Sequence, residues 1–215
     1  MKLLTVTVPC YNSAAYMERC LQTLLPGGEE MDILIVDDGS TDETGAIADR
    51  YAAQYPELVR VIHQENGGHG EGINQGVRNA RGLYFKVVDS DDRLDPAALT
   101  KLLAALRRYT APEEQLDLIV NNYVYDREDE QAVFAVNYRV CMRPNTPMGW
   151  QDIRRFPVHK QFMIHSLAYR TQLLRDMPLE LPKHTFYEDN SYIYKPLPYT
   201  QRIYYLDEPL YGYRI

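Results

Sequence analysis

The chain has 215 residues, 45% of them hydrophobic and 25% charged, with a formal net charge of -7. That length buries a full core, and that balance excludes collagen-like, coiled-coil and largely disordered chains. A nucleic-acid partner is also excluded, because a phosphate backbone rewards clustered Lys and Arg, whereas one nucleotide needs only a local cation or a metal.

The N-terminal MKLLTVTVPCYN carries a short apolar run broken at Pro9, too short for a signal-peptide core or a bilayer span. The expectation is a cytoplasmic protein with no transmembrane segment, compatible with peripheral association at the inner membrane face. Cys10, Cys20 and Cys141 are widely spaced with no C-x-x-C pair, so they are expected to be reduced and to pack.

In chain order, residues 3–8 (LLTVTV) read as a strand closed by Pro9, and 14–25 carry apolar residues at helical spacing, with Met17, Leu21, Leu24 and Leu25 on one side. Residues 32–36 (DILIV) are apolar on both faces, as in a buried parallel strand. Ser40 and Glu43 form a capping-box pattern for a helix to about Gln54. A third strand at 59–63, a helix at 70–80 entered through a glycine-rich loop, and a fourth strand at 83–88 follow. This alternation predicts an α/β fold with a Rossmann-like, mostly parallel sheet flanked by helices, whose ligands bind beyond the carboxyl ends of the strands. Asp95 as N-cap and Pro96 at the first helical position start a helix to about Tyr109, and a strand at 116–121 completes the regular part. Thereafter the pattern loosens into a mixed C-terminal part: 13 of the 18 tyrosines fall after residue 107, 131–142 reads as sheet, and short helices are expected near 150–155 and 191–195. The strand-like ending Tyr213-Arg214-Ile215 has no closing cap and leaves room for a C-terminal continuation.

The chemistry-bearing residues sit at the predicted strand ends. Pro9, Tyr11 and Asn12 follow the first strand and Asp37 and Asp38 end the second, and these ends are neighbours in such a sheet. An aromatic face stacks on a nucleobase, and an ionised carboxylate, being an acceptor only, suits the ring N–H of uracil or guanine and rejects the bare ring nitrogen of cytosine. The same Asp-Asp-Gly-Ser also reads as a plain turn with an Asp cap. In Asp89-Ser90-Asp91-Asp92, residues two apart point to one side, so Asp89 and Asp91 can face one cation while Asp92 faces elsewhere. Their hard oxygens suit Mg²⁺ or Mn²⁺, which complete their octahedra with waters and substrate phosphates. An EF-hand is excluded, because Leu94 and Thr100 stand where its Gly and Glu belong; a solvated acidic turn is the plain alternative. The loop from Asn66 through Gly68 to Asn74 is glycine-rich, so its N–H groups can approach an anion at a helix N-terminus. The dinucleotide fingerprint fails there at Ile73, and His69 is either a phosphate contact or plain surface.

In this order and spacing, TVTVPCYN, ILIVDDGSTDET, ENGGHGEGINQG and KVVDSDD resemble family 2 glycosyltransferases of the GT-A fold, closely through about residue 96 and more loosely after it. The resemblance implies one domain over 1–215, with a nucleotide-binding half at 1–110 and an acceptor-side half at 111–215. It implies an inverting enzyme, dependent on Mg²⁺ or Mn²⁺, that moves a sugar from a nucleotide-sugar, expected to be a UDP-sugar, to a hydroxyl of a glycan or lipid-linked glycan in cell-surface polysaccharide synthesis. Tyr11 and Asp38 then hold the nucleobase and Asp89 and Asp91 the metal, with Pro9, Asn12, Asp37, Asn66, Gly68, Asn74 and Ser90 completing the donor site. The pair Glu188-Asp189 resembles the family's general-base site. Adjacent helical residues point about 100° apart, so one of the two faces the site, and Asp189 is the expected base. Many members carry Ala-Arg-Asn where this chain has Gly72-Ile73-Asn74, which leaves the diphosphate contacts and donor preference open. Two rivals stand beside this reading: a nucleotidyltransferase of sugar phosphates, which lacks its basic glycine-rich signature here, and a non-catalytic nucleotide- or glycan-binding module, which has no use for both acidic pairs.

Overall fold

A computed structural model describes residues 1–126, 134–158 and 160–215. The first half alternates as its sequence predicts: β1 (Leu4–Cys10), α1 (Met17–Leu24), β2 (Met31–Asp37), α2 (Thr44–Gln54), β3 (Val59–His63), α3 (His69–Asn79) and β4 (Tyr84–Val87). A short β5 (Arg93–Leu94) and α4 (Pro96–Leu106) follow, then β6 (Leu118–Asp126), β7 (Phe134–Val136), β8 (Pro147–Met148), β9 (Leu167–Arg170), α5 (Thr171–Asp176), α6 (Asp189–Tyr194) and the long β10 (Ile203–Arg214).

Every residue of β1 and β2 is buried, which requires cover on both faces of the sheet. One apolar cluster packs α1 and α4 on one face through Met17, Leu21, Leu99 and Leu102, and a second packs α3, α5 and α6 on the other through Ile73, Val77, Leu173 and Tyr192. Among the described residues the strands form one sheet in the order β3-β2-β1-β4-β9-β6-β10-β5, with β7 on β6 and β8 on β10. The β3-β2-β1-β4 part is parallel throughout. β9 then runs antiparallel to both β4 and β6, while β6 and β10 are parallel to each other. The sheet is thus mostly parallel with a mixed second part.

Several expected boundaries move, each for a local reason. β1 runs through Pro9 to Cys10, because its ladder to β4 ends at the Thr7 to Val87 pair and the missing proline N–H points to that vacated side. The capping box at Ser40 and Glu43 does not form: Ser40 Oγ accepts from Asn12 N across the loop, and Asp42 Oδ1 accepts from Thr44 N at 2.9 Å, so α2 starts three residues later than expected. Asp95 does cap α4, its carboxylate accepting from Ala98 N at 2.8 Å, but the last turn to Tyr109 tightens to 3-10 geometry. β6 continues to Asp126. Of the sheet expected at 131–142, residues 131–133 lie outside the described residues, β7 occupies 134–136, and a turn follows. The short helices at 150–152 and 189–194 are present, the first as one 3-10 turn. All three cysteines are free and buried, as expected. Among the described residues no helix is long and apolar enough to cross a membrane.

The edge of the parallel part opposite the strand ends is held by one buried carboxylate. Asp32, 2% exposed, accepts from Thr5 Oγ1 at 2.7 Å, from Arg60 at 2.7 and 2.8 Å, and from Arg81 N at 3.1 Å. Burial works to raise this carboxyl, and the Arg60 and Thr5 hydrogen bonds with the guanidinium charge hold it below the ordinary carboxylate range. Its contribution is therefore present above the unfolded-state value and lost as pH falls through the lower folded value. Replacing Arg60 with Met strands the charge, and urea denaturation of Arg60→Met is expected to show a loss of about 3–5 kcal/mol at neutral pH, where a surface pair would lose under about 1 kcal/mol.

Candidate active site

Parallel pairing places the carboxyl ends of β1, β2 and β4 at one edge. The register Cys10 to Asp37 brings Tyr11 beside Asp38, and the register Thr7 to Val87 sets the 89–92 turn on the other side of β1. Two adjoining cavities open there. One, of about 280 Å³, is lined by Pro9, Cys10, Tyr11, Asp38, Asn66, Gly68, His69 and Gly72. The other, of about 430 Å³, is lined by Pro9, Tyr11, Ser13, His69, Asp89, Ser90, Asp91, Tyr213 and Arg214.

In the first cavity Asp38 is buried and organises the glycine loop. Its Oδ1 accepts from Gln64 Nε2 at 2.5 Å and Gly67 N at 2.7 Å, its Oδ2 accepts from Gly68 N at 2.8 Å, and its carbonyl accepts from Asn66 Nδ2 at 2.9 Å. Four lone-pair sites minus these three bonds leave Oδ2 one further acceptor direction. Gly68 is required where it stands: its φ is +84°, and a Cβ there would come 3.0 Å from His184 N. Tyr11 stands 55% exposed at the mouth.

Three expected donor residues line neither cavity. Asp37 accepts from Ser40 N at 3.1 Å and pairs with His63 Nδ1 at 2.9 Å. Burial works to raise its carboxyl, and Ser40 and His63 hold it low. Asn12, at φ 49°, receives Thr41 N on its Oδ1 at 2.8 Å and so fastens the loop between β2 and α2. Asn74 is buried, with its amide donating to Glu71 Oε2 at 3.0 Å and Leu181 O at 2.9 Å and accepting from Leu181 N at 3.0 Å. These side chains hold the site's walls rather than face its interior.

In the second cavity Asp89 and Asp91 face the opening together, while Asp92 turns inward as expected, accepting from Tyr211 Oη at 2.5 Å and from Arg214 N at 2.8 Å. Burial, with the charges of Asp89 and Asp91, pushes the Asp92 carboxyl up to about 7 against those two hydrogen bonds. Ser90 Oγ and Ser13 Oγ share a hydrogen bond at 2.7 Å that joins the 89–92 turn to the segment after β1. His69 spans the opening: its Nε2 lies 2.9 Å from Asp89 Oδ1 and its Nδ1 2.7 Å from Glu188 Oε1. Carboxylates only accept, so both ring nitrogens donate and the ring is an imidazolium. Burial works against that charge, but Asp89 and Glu188 outweigh it and push the imidazole up to about 10. The Glu188 carboxyl is held low by the same hydrogen bond.

Of the adjacent acids it is therefore Glu188 whose carboxylate the structure brings to His69 and Asp89. Asp189 is half-buried at the first position of α6, and its Oδ1 accepts from Asn190 N at 3.0 Å. Sequence reasoning left His69 undecided and did not find Ser13, Tyr211, Tyr213 or Arg214. The last three arrive on β10, and no local signal marks them, because their relation to Asp89 and Asp92 exists only in the folded sheet.

The donor set fits a hard divalent cation of the Mg²⁺ type in one manner. Among the described residues no group of three or more His, Cys, Asp or Glu is gathered as a complete cage. Two carboxylates at an open cavity instead suit an ion that takes its remaining ligands from water and substrate phosphate.

A family model described as glycosyl transferase family 2 matches residues 5–166. Among curated relatives, Streptococcus pneumoniae glycosyltransferase GlyG is 36% identical over 138 residues, 63% of this chain and 44% of GlyG. The uncharacterized glycosyltransferase EpsJ of Bacillus subtilis is 29% identical over 216 residues, 99% of this chain and 61% of EpsJ. The chain thus spans 44% and 61% of the length of these relatives. Among solved structures, S. aureus TarS 1-349 in complex with UDP-GlcNAc superimposes with a TM-score of 0.79 at 25% identity, covering 100% of this chain and 59% of that one. Its GT-A architecture is the fold of this chain.

Because Asp38 anchors two backbone amides of the glycine loop, Asp38→Ala is expected to free the Gly67 and Gly68 N–H groups, each unsatisfied donor costing about 1–3 kcal/mol. Hydrogen exchange read by mass spectrometry should speed up in peptides covering residues 64–70 and stay unchanged in β1; unchanged exchange at 64–70 would refute the anchoring role.

Proposed function

The chain belongs to glycosyl transferase family 2, and from that premise we propose that it transfers a sugar from a uridine diphosphate sugar to a hydroxyl of a glycan or lipid-linked glycan, with inversion at the anomeric carbon. The observation that carries this reading is the pair of adjoining cavities sharing Pro9, Tyr11 and His69, one closed by a buried carboxylate loop and the other by two aspartates. A nucleoside diphosphate laid across them has its base beside Tyr11 and the remaining acceptor direction of Asp38, and its phosphates beside Asp89 and Asp91. The complex of TarS with UDP-GlcNAc supports uridine as the nucleoside. The continuity of the sheet from β3 to β5 supports one domain over 1–215, and a cytoplasmic place at the membrane face agrees with a lipid-linked acceptor.

Asp89 and Asp91 would hold a divalent cation, Mg²⁺ or Mn²⁺, which would supply charge neutralisation at the diphosphate. Tyr11 stacks on the base, and Asp38 accepts the uracil ring N–H. Ser90, tied to Ser13, sets the turn that carries both aspartates. On the acceptor side Asp189 takes the proton of the attacking hydroxyl oxygen as that oxygen bonds to the sugar carbon and the bond to the diphosphate breaks. The resemblance of Glu188-Asp189 to the family's base site supports this assignment, and so does the commitment of Glu188 to His69.

Thermal denaturation is expected to show UDP and Mn²⁺ together stabilising the protein more than either alone, and by about 2.7 kcal/mol over the unliganded protein at a hundred times the dissociation constant. GDP or CDP outranking UDP would overturn the uracil assignment. Asp189→Asn is expected to lower transfer by about 10²-fold or more with UDP binding unchanged, and Glu188→Gln to lower it less. The reverse order in a radiolabelled-donor assay would move the base to Glu188.

A further inference from the structure

The proposed donor site contains more negative than positive groups. Around the second cavity Asp89 and Asp91 face a diphosphate that is itself anionic, and the cationic side chains in that lining are His69 and Arg214. Arg214 belongs to the second cavity alone. His69 belongs to both, with Pro9 and Tyr11, neither of which is a cationic residue. A molecule that reaches from the base side to the aspartates passes His69.

The backbone places this residue for an anion as well. His69 is the first residue of the eleven-residue α3, entered through Gly68, so its ring stands over a helix N-terminus whose dipole favours negative charge. Elsewhere on α3 the cation Arg78 sits in the last turn and is committed to Glu71 at 3.0 Å. Position 73, on the inward face of the helix, is a fully buried Ile. The helix therefore offers the donor one cationic side chain.

The two hydrogen bonds of His69 differ in what they lead to. Nδ1–H donates to Glu188, on the segment entering α6, and Nε2–H donates to Asp89, after β4. A cation held by Asp89 competes with the imidazole for that carboxylate, and the phosphate oxygens of the donor are further acceptors beside the ring in the same cavity.

Resting on the donor-site reading above, we propose that His69 is a donor-binding residue: its Nε2–H passes from Asp89 to the diphosphate of the nucleotide-sugar, while its Nδ1–H keeps Glu188 in place beside the base. The ring thereby supplies the diphosphate with an N–H donor that the buried Ile73 cannot. It also ties the acceptor-side carboxylate to a residue that touches the donor.

The test compares two ligands on one variant by calorimetry: UDP with Mn²⁺, which reaches His69, and uridine, which stops at the base. His69→Ala is expected to weaken UDP about tenfold or more and to leave uridine within about twofold, with His69→Gln, which keeps an N–H donor, falling between wild type and His69→Ala for UDP. UDP affinity unchanged in His69→Ala overturns the proposal and leaves His69 an ion-pair partner of Asp89 and Glu188. Equal loss for UDP and uridine also overturns it, because the effect would then lie in the shape of the glycine loop. A wild-type protein that binds neither ligand removes the donor-site reading and this inference with it, whereas wild-type UDP binding with no His69 effect removes this inference alone.

Discussion

Asp92 is a carboxylate with 2% of its surface exposed, and the direction of the whole acidic turn depends on how it is satisfied. It accepts from Tyr211 Oη and Arg214 N, and Tyr211 Oη in turn accepts from Asp89 N at 3.1 Å. Removing a carboxyl from water without such partners is unfavourable by several kcal/mol. Rotating Asp92 outward would strand Tyr211, and rotating the turn would break the Asp89 amide bond as well. Only one arrangement satisfies all three groups, and it leaves Asp89 and Asp91 facing the cavity. The partners lie 119 and 122 residues away along the chain, so the acidic turn acquires its geometry only when the last strand docks.

Under that turn the sheet carries a second buried charge. Lys86 on β4 is fully buried and donates to His165 O at 2.8 Å and Asn121 Oδ1 at 3.1 Å. Burial pushes its ammonium down to about 7, with Asp89 working the other way. His165 stacks between Tyr211 and Tyr213 with ring centroids 5.0 and 5.1 Å away, and burial drives it down to about 3, so it is neutral. The aspartate turn is thus backed by a titrating lysine and an uncharged aromatic stack, and faced by the His69 imidazolium. Burial works to raise the Asp89 carboxyl, and His69 foremost holds it ionised.

The first part of this architecture is readable from local sequence because its determinants are local. A β-branched run such as 4–8, a doubly apolar run such as 32–36 and the Asp95-Pro96 start each impose their element through neighbours a few residues away. The two-residue period likewise assigns Asp89 and Asp91 to one side and Asp92 to the other before any fold is known. The capping box failed for an instructive reason: Ser40 satisfies Asn12, a partner 28 residues distant, in preference to the helix end three residues on. Which of Glu188 and Asp189 meets His69 is set by a contact across 119 residues, and no periodicity carries that information. β9 and β10 are short of alternation for the same reason, since both faces of each are packed by apolar clusters drawn from elsewhere in the chain.

The two sides of the site are built to different firmness. The strand ends under the two cavities are buried at every residue of β1 and β2, whereas residues 182–187 are exposed, with His184 at φ 49° and Tyr187 at φ 64°. Such a segment opens at low free energy unless it is fastened. Its fastenings all reach one place: Leu181 to Asn74, His184 N to Gly67 O at 3.2 Å, and Glu188 to His69. Those three anchors are the glycine loop and the first turns of α3, the same backbone that Asp38 holds through Gly67 and Gly68. The 181–188 segment therefore takes its position from the loop that lines the first cavity. The 181–188 segment and the 66–74 loop thus share one set of hydrogen bonds, and it is α3 that joins them.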